Sequence, residues 1–169
     1  MGIGKVIALV IGVAIIVAGG SYLIFSDDDT TTGGTQNTGS VSAPASKTAD
    51  YSDKGLTRFP KEVLDQTDLI VLDISGNNLT GALPAEIKNL KKLEVLNVSN
   101  NEMTGIPAEI GQMKSLRLIN YANNKITGLP LELGNLTQLE VLDLSGNPNV
   151  SQYDLNLIKP KLPNTEIKL

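Results

Sequence analysis

The chain has 169 residues, with 14 Lys and Arg against 18 Asp and Glu, a formal charge of -4, and no His, Cys or Trp. Without His or Cys it holds no Ser/His/Asp triad, no Cys/His nucleophile, no zinc site of the usual ligand set and no disulfide framework. Its acidity and the lack of a clustered basic stripe argue against phosphate-backbone binding, so nucleic acid is not an expected partner.

Composition changes sharply along the chain. Val6 to Phe25 reads VIALVIGVAIIVAGGSYLIF, twenty residues without a charge, which at about 1.5 Å per residue match a bilayer core of about 30 Å. Residues 1–25 are therefore expected to be a single transmembrane signal anchor. Lys5 precedes the run and Asp27, Asp28 and Asp29 follow it, a bias that puts the N-terminus in the cytoplasm and the rest outside a cell membrane. Cleavage near Ala18-Gly19-Gly20 is the alternative and would release a secreted protein. Gly4, Ala8 and Gly12 recur every fourth residue, a small-residue face able to pack two such helices, although small residues are common in membrane helices anyway.

Residues 26–50, SDDDTTTGGTQNTGSVSAPASKTAD, are rich in Ser and Thr and hold one large aliphatic residue, Val41, too little apolar surface to order them. They read as a disordered tether. The Asp27–Asp29 run lacks the spaced D-x-D-x-D-G pattern of a calcium loop and reads as a solvated topology signal. No metal or cofactor is expected.

From there the chain repeats. Leu69, Leu93, Leu116, Leu139 and Leu162 lie 24, 23, 23 and 23 residues apart, and the first four open the strings LIVLDISGNNLTGALP, LEVLNVSNNEMTGIP, LRLINYANNKITGLP and LEVLDLSGNPNV. In each, Leu72/Ile74, Leu96/Val98, Ile119/Tyr121 and Leu142/Leu144 alternate with outward residues, the period of two of a short strand with one face inward. Links too long for hairpins stack such strands most simply as a parallel sheet, about 4.8 Å apart. Asn77, Asn101, Asn124 and Asn147 share the slot after each strand, where a buried amide can bridge backbone groups of adjacent turns. These four read as a structural ladder. On the return side, Pro84, Pro107 and Pro130 precede apolar residues three apart and suit the first position of a helical turn. Gly81, Gly105 and Gly128 mark places expected to need positive φ or close approach.

Both ends are atypical. Residues 51–68 carry an N-terminal half-coil, with Leu56-Thr57 matching Leu79-Thr80, and the core of the array is read over 69–147. Residues 148–169 form a C-terminal cap in which Leu162 keeps the 23-residue register and Thr165 takes a Leu position, with Lys161 and Lys168 expected to discourage end-to-end pairing.

With these strings in hand, residues 51–169 resemble the leucine-rich repeat family, through L-x-x-L-x-L-x-x-N-x-L at a period inside its range. The LTG and IP elements are similar to those of plant receptor ectodomains, whereas the absence of capping cysteines and the small number of coils resemble a small membrane-anchored bacterial surface protein. The resemblance implies an α/β solenoid, a right-handed β-α superhelix with a short parallel sheet on its concave face, and non-catalytic recognition of a protein partner there. On that reading the concave columns are Val71, Val95, Leu118 and Val141; Asp73, Asn97, Asn120 and Asp143; and Ser75, Ser99, Ala122 and Ser145, with Arg117 between Glu94 and Glu140 as the charged anchor. These columns without Ala122, together with Arg117, make up the candidate contact set of twelve. Tyr121 stands where Leu is usual and is expected to pack inward.

The best carboxylate pair for an enzyme, Asp73 and Asp143, is three strands apart, roughly 14 Å and beyond glycosidase spacing. Four N-x-S/T sequons fall at Asn78, Asn97, Asn135 and Asn149, which matter only in a secretory eukaryote. A structural envelope protein that self-associates weakly, through the helical turns or the Gly4/Ala8/Gly12 face, is the alternative to recognition.

Overall fold

The computed structural model describes residues 5–10, 13–18, 21–26 and 47–169, and the chain divides into two compact units at Ser46/Lys47. Most of the expected tether, residues 27–46 with the Asp27–Asp29 run, and the Gly4 and Gly12 positions lie outside the described residues.

In the first unit the apolar run is not the expected helix. It forms three strands, β1 (Lys5–Val10), β2 (Val13–Ala18) and β3 (Ser21–Ser26), paired antiparallel in the order β1-β2-β3. Among the described residues no helix is long and apolar enough to cross a membrane. Val and Ile dominate the run, and their stiff χ1 angles suit a pleated strand as well as a helix. Gly19-Gly20, one of the dipeptides that join hairpin strands, separates β2 from β3 in sequence.

The second unit is a solenoid. Strands β4 (Thr48–Asp50), β5 (Val71–Asp73), β7 (Val95–Asn97), β9 (Leu118–Asn120), β10 (Val141–Asp143) and β11 (Glu166–Lys168) lie side by side in one six-stranded sheet. Every pair in it is parallel, in the register Thr48, Val71, Val95, Leu118, Val141, Glu166. Two shorter strands, β6 (Thr80–Gly81) and β8 (Glu102–Met103), form a second parallel pair on the way back.

Each coil sends the same side chains inward. Leu72, Leu96, Ile119 and Leu142 form one stacked column and Ile74, Val98, Tyr121 and Leu144 the next, all 1% exposed or less. Leu69, Leu93 and Leu116 join them from before the strands, and Ile87, Ile110 and Leu133 from the far side. Burying one such side chain is worth about 1.5–3 kcal/mol, realised only against the neighbouring coil.

The return segments are 3-10 helices, Lys61–Asp65, Ala85–Asn89, Ala108–Gln112 and Leu131–Asn135. A rise of about 2.0 Å per residue, against 1.5 Å in an α-helix, lets five residues cross the coil. The prolines stand one residue earlier than expected. Pro60, Pro84, Pro107 and Pro130 are extended, with ψ of 99°, 147°, 140° and 134°, and their carbonyls accept the first bond of each turn from Val63, Ile87, Ile110 and Leu133 at 3.0–3.1 Å. As caps they lose no donor that the turn uses.

Of the three glycines expected to need positive φ or close approach, Gly81 has the former, at 73°, whereas a Cβ at Gly105 or Gly128 would meet its nearest neighbour at 3.8 or 3.7 Å. The recurrent left-handed slot lies elsewhere, at Asp53, Gly76, Asn100, Asn123 and Gly146 with φ of 53° to 71°. Gly, Asn and Asp are the residues that occupy this region most readily.

Both caps differ from the sequence reading. Strand β4 occupies 48–50, inside the segment read as tether, and starts the array one coil earlier. At the other end, β11 lies 25 residues after β10 instead of 23, because Leu162 closes a 3-10 helix over Lys159–Lys161 and residues 163–165 follow it before the strand. Between them sits an unexpected α-helix, α1 (Gln152–Ile158), whose N-cap Ser151 accepts from the Asp154 amide at 3.2 Å.

Candidate recognition surface

The ladder residues come first, because they hold the strand exits in place. Asn101 accepts from the Leu79 amide at 3.0 Å and its side-chain nitrogen donates to the Ile74, Val98 and Ser99 carbonyls at 3.0–3.2 Å. Asn124 does the same with the Met103 amide and the Val98, Tyr121 and Ala122 carbonyls. Asn147 accepts from Ile126 and donates to Tyr121, Leu144 and Ser145. Asn77 accepts from both Lys54 and Leu56 and donates to Tyr51, Ile74 and Ser75. Each buried amide thus ties its own coil to the one before it, satisfying backbone donors and acceptors of both.

On the concave face the polar column is closed on itself. Asp73 Oδ1 accepts from the Ser75 amide and hydroxyl at 2.9 and 2.6 Å, and Asp143 binds Ser145 the same way at 3.0 and 2.6 Å. Asn97 binds Ser99 likewise, and Asn120 accepts from the Ala122 amide. Across the strands, Asn120 donates to Asn97 at 3.0 Å and Asn97 donates to Asp73 at 2.9 Å, while Lys168 Nζ stands 3.8 Å from Asp143 Oδ2. The column begins one strand earlier than the sequence suggested. Asp50 accepts from the Ser52 amide and hydroxyl at 2.9 and 2.7 Å, and these bonds hold its carboxyl below the usual carboxylate range.

The candidate contact residues are brought together, but most are not accessible. Val71, Val95, Leu118 and Val141 are 4% exposed or less, yet they stand outside the main apolar cluster, on the other face of the sheet. Asn97, Ser99, Asn120 and Asp143 are buried too. Of the twelve, Asp73, Ser75, Arg117 and Ser145 keep partial exposure. Arg117 donates to Glu140 at 2.8 Å and lies 3.9 Å from Glu94. Burial raises the Glu94 carboxyl above its ordinary value, with Arg117 opposing and Glu140 adding to the rise.

Beyond the strand exits the surface opens. Asn100 and Asn123, in the left-handed slot, are exposed and bonded to each other at 2.9 Å, and Lys125 pairs with Glu102 at 3.2 Å. The Asn-Asn pairs that place the two asparagines, Asn100-Asn101 and Asn123-Asn124, were present in the sequence, but strand periodicity ends before them.

Tyr121 points inward and is fully buried. Its hydroxyl has no hydrogen-bond partner, and burial pushes the phenol far above its ordinary range. The two carboxylates of the enzyme reading lie on β5 and β10, with β7 and β9 between them, and each is engaged by its own serine. Among the described residues no group of acids is placed to hold a metal ion. Asn78, Asn135 and Asn149 are exposed sequons, whereas Asn97 is buried in the polar column.

The parallel stack, its inward leucines and its asparagine ladder have a counterpart among known proteins. Residues 50–159, well over half of the chain, match the family described as a leucine-rich repeat region. The chain belongs to the leucine-rich repeat family. It is similar to Receptor-like protein 53 of Arabidopsis thaliana, 39% identical over 72 residues that make up 41% of this chain and 8% of that protein. Receptor-like protein 18 of the same plant is 40% identical over 51 residues, 30% of this chain and 6% of that one. Among solved structures, a leucine-rich repeat protein of Leptospira interrogans has a TM-score of 0.62 at 42% identity, covering 67% of this chain and 28% of its own. The plant peptide hormone receptor RGFR1, solved in complex with RGF2, gives 0.55 at 35% identity over 65% of this chain and 18% of its own. The chain thus spans less than a tenth of the length of the receptor-like proteins it matches.

Proposed function

We propose that this leucine-rich repeat domain is a non-catalytic protein-recognition module that works outside the cytoplasm, held at a membrane by residues 6–25. The observation that carries the recognition reading is the uninterrupted parallel sheet, whose exit side leaves Asn100, Asn123, Lys125 and Glu102 exposed, while Arg117 stays partly open at the entry to β9. A plant peptide hormone receptor of similar fold was solved in complex with RGF2, and here the partner would be a protein or peptide. Contacts fall on the rim, with Arg117 as anchor, because the column behind it is spent on internal bonds; Arg is favoured at such anchors. The small bacterial kind of the family is supported by the 42% identity to the Leptospira chain.

Crosslinking capture from an envelope extract tests this, with Arg117→Ala/Asn123→Gly beside the parent. Both changes leave the asparagine ladder and the polar column intact, and Gly accepts the φ of 55° at Asn123. Loss of the captured protein is expected in the variant; undiminished capture refutes the rim as the contact surface.

Membrane attachment rests on the twenty uncharged residues. An open three-stranded sheet leaves two rows of backbone groups that hydrocarbon cannot satisfy, so insertion requires the run to become a helix. Circular dichroism should gain about twenty residues of helix on transfer from buffer to lipid micelles, and an unchanged spectrum refutes the anchor.

A further inference from the structure

The large apolar side chains left at the surface of the repeat domain are not scattered. Leu131, Tyr153 and Leu157 are exposed at 44%, 74% and 40%, and all three lie on the return segments that follow β9 and β10. Helix α1 is apolar on two opposite faces. Leu155 and Ile158 are buried against the core, and Leu162 continues that side. Tyr153, Leu157 and the exposed Pro160 follow one another at i, i+4 and i+7 along the outer face.

Two contacts align α1 with the 3-10 helix Leu131–Asn135. Asp154 accepts from the Leu129 amide at 3.0 Å, and the Lys161 stem lies so near Gly134 that a Cβ there would stand 2.5 Å from its Cδ. Leu157 falls between Asp154 and Lys161 on the same flank, which sets it beside the exposed Leu131. Lys159 and Lys161 are exposed at the end of the stripe. Such side chains lay their stems along apolar surface while the ammonium stays with water or phosphate.

We infer that this patch docks on the surface of a lipid bilayer, with Tyr153, Leu157, Leu131 and Pro160 entering the headgroup boundary and Lys159 and Lys161 meeting lipid phosphates. Area decides against a second copy of the chain. With roughly 150–250 Å² for a whole aromatic side chain and less for leucine, the patch exposes about 350 Å². Two patches face to face would bury about 700 Å², below the roughly 1,000 Å² of a specific protein pair. Lipid asks for no matching shape, and aromatic, leucine and lysine side chains set together suit the membrane interface. Glu132 and Asp154 offset the two lysines, so apolar surface carries the contact and net charge does not. The covalent chain permits it: residues 27–46 extend at most about 70 Å, and β4 to β11 is five strand spacings, about 24 Å. The inference rests on the membrane attachment proposed above for proximity alone. It adds an orientation, with the return side on the lipid and the sheet face open.

The chain has no Cys and no Trp, so Gly2→Cys couples the full chain at one point to phosphatidylcholine vesicles bearing a maleimide lipid, and Tyr153→Trp supplies a single reporter. When the phosphatidylcholine is brominated, the Tyr153→Trp reporter should lose about half of its emission, because a docked ring sits roughly 5–10 Å into the boundary. A Lys125→Trp reporter on the exit rim should lose little. Leu157→Asp and Leu131→Asp, on separate elements and both at exposed positions, should each restore the emission about twofold. Equal quenching of the two reporters, whether strong or absent, overturns the inference, and a protein seated on the patch in place of lipid predicts its absence in both. Quenching that neither Asp change reduces overturns it as well. Coupling at residue 2 holds the chain at the vesicle whether or not residues 6–25 enter the bilayer, so failure here is distinct from failure of the anchor, which the gain of helix reads.

Discussion

Removing one oxygen from the core should stabilise this protein. Tyr121 is fully buried in the column Ile74, Val98, Tyr121, Leu144, and its hydroxyl has no partner. An unpaired buried hydroxyl costs about 1–3 kcal/mol, and Tyr121→Phe loses in exchange only the dispersion contacts of one oxygen, a few tenths of a kcal/mol. The net gain should be about 1 kcal/mol at pH 7, or roughly 3–6 °C in melting temperature for a domain of this size. The effect has a pH signature. Because burial raises the folded-state pKa of Tyr121, the neutral phenol is fully accommodated below the unfolded value of about 10 and stability is lost as pH climbs above it. The advantage of the Phe variant should therefore widen by about 1.4 kcal/mol per pH unit beyond pH 10. The other tyrosines are common to both proteins and cancel. Urea unfolding at pH 7 and pH 11 measures both quantities. A Phe variant equal to or weaker than the parent at pH 7 refutes the argument, because it would mean that the hydroxyl is satisfied.

Asn101→Ala should cost about 2–4 kcal/mol, since it strands the Leu79 amide and three carbonyls of two coils; the urea midpoint reports it. Gly111→Ala should cost about 1–3 kcal/mol, because its Cβ would meet the Glu132 carbonyl oxygen at 2.3 Å. Gly105→Ala, whose Cβ would lie 3.8 Å from Ala82, should stay within about 0.5 kcal/mol, and thermal melts of the pair separate close approach from mere repetition. Glu94→Gln should be more stable than the parent at neutral pH and lose that advantage below about pH 4. The raised folded pKa of Glu94 means the parent's penalty appears as pH rises through the unfolded value and is absent below it.

The period of the array could be read from Leu69, Leu93, Leu116 and Leu139, because each coil needs the same inward side chains. The asparagine slot was legible for the same reason. Strand β4 was hidden because Ala49 stands where later coils have Leu or Ile, although Asp50-Tyr51-Ser52 repeats the Asp73-Ile74-Ser75 pattern that builds the same turn. Helix α1 had a signal in Ser151 and Asp154, spaced as a cap and the residue it bonds, but no apolar period long enough to reveal it. The apolar run at 6–25 fits strand and span equally, and length alone does not choose between them. For the candidate surface, alternation located the concave columns but not their availability. Whether Asn97 and Asn120 face a partner or each other depends on neighbours 23 residues away, which no local pattern reports.

The stacking of coils also sets how the domain should respond to force. Thr48 and Lys168 lie on opposite terminal strands of the sheet, so a pull between them loads β4 and β11 first and peels each coil from a neighbour that stays intact. The domain should lengthen in steps of one coil, 23 to 25 residues or about 80 Å of released chain, instead of giving way at once. The first step should come from the β4 end, where Ala49 anchors the outermost strand with the smallest side chain in its column. Such a device would act as a graded extensible spacer, yielding length before it yields its fold.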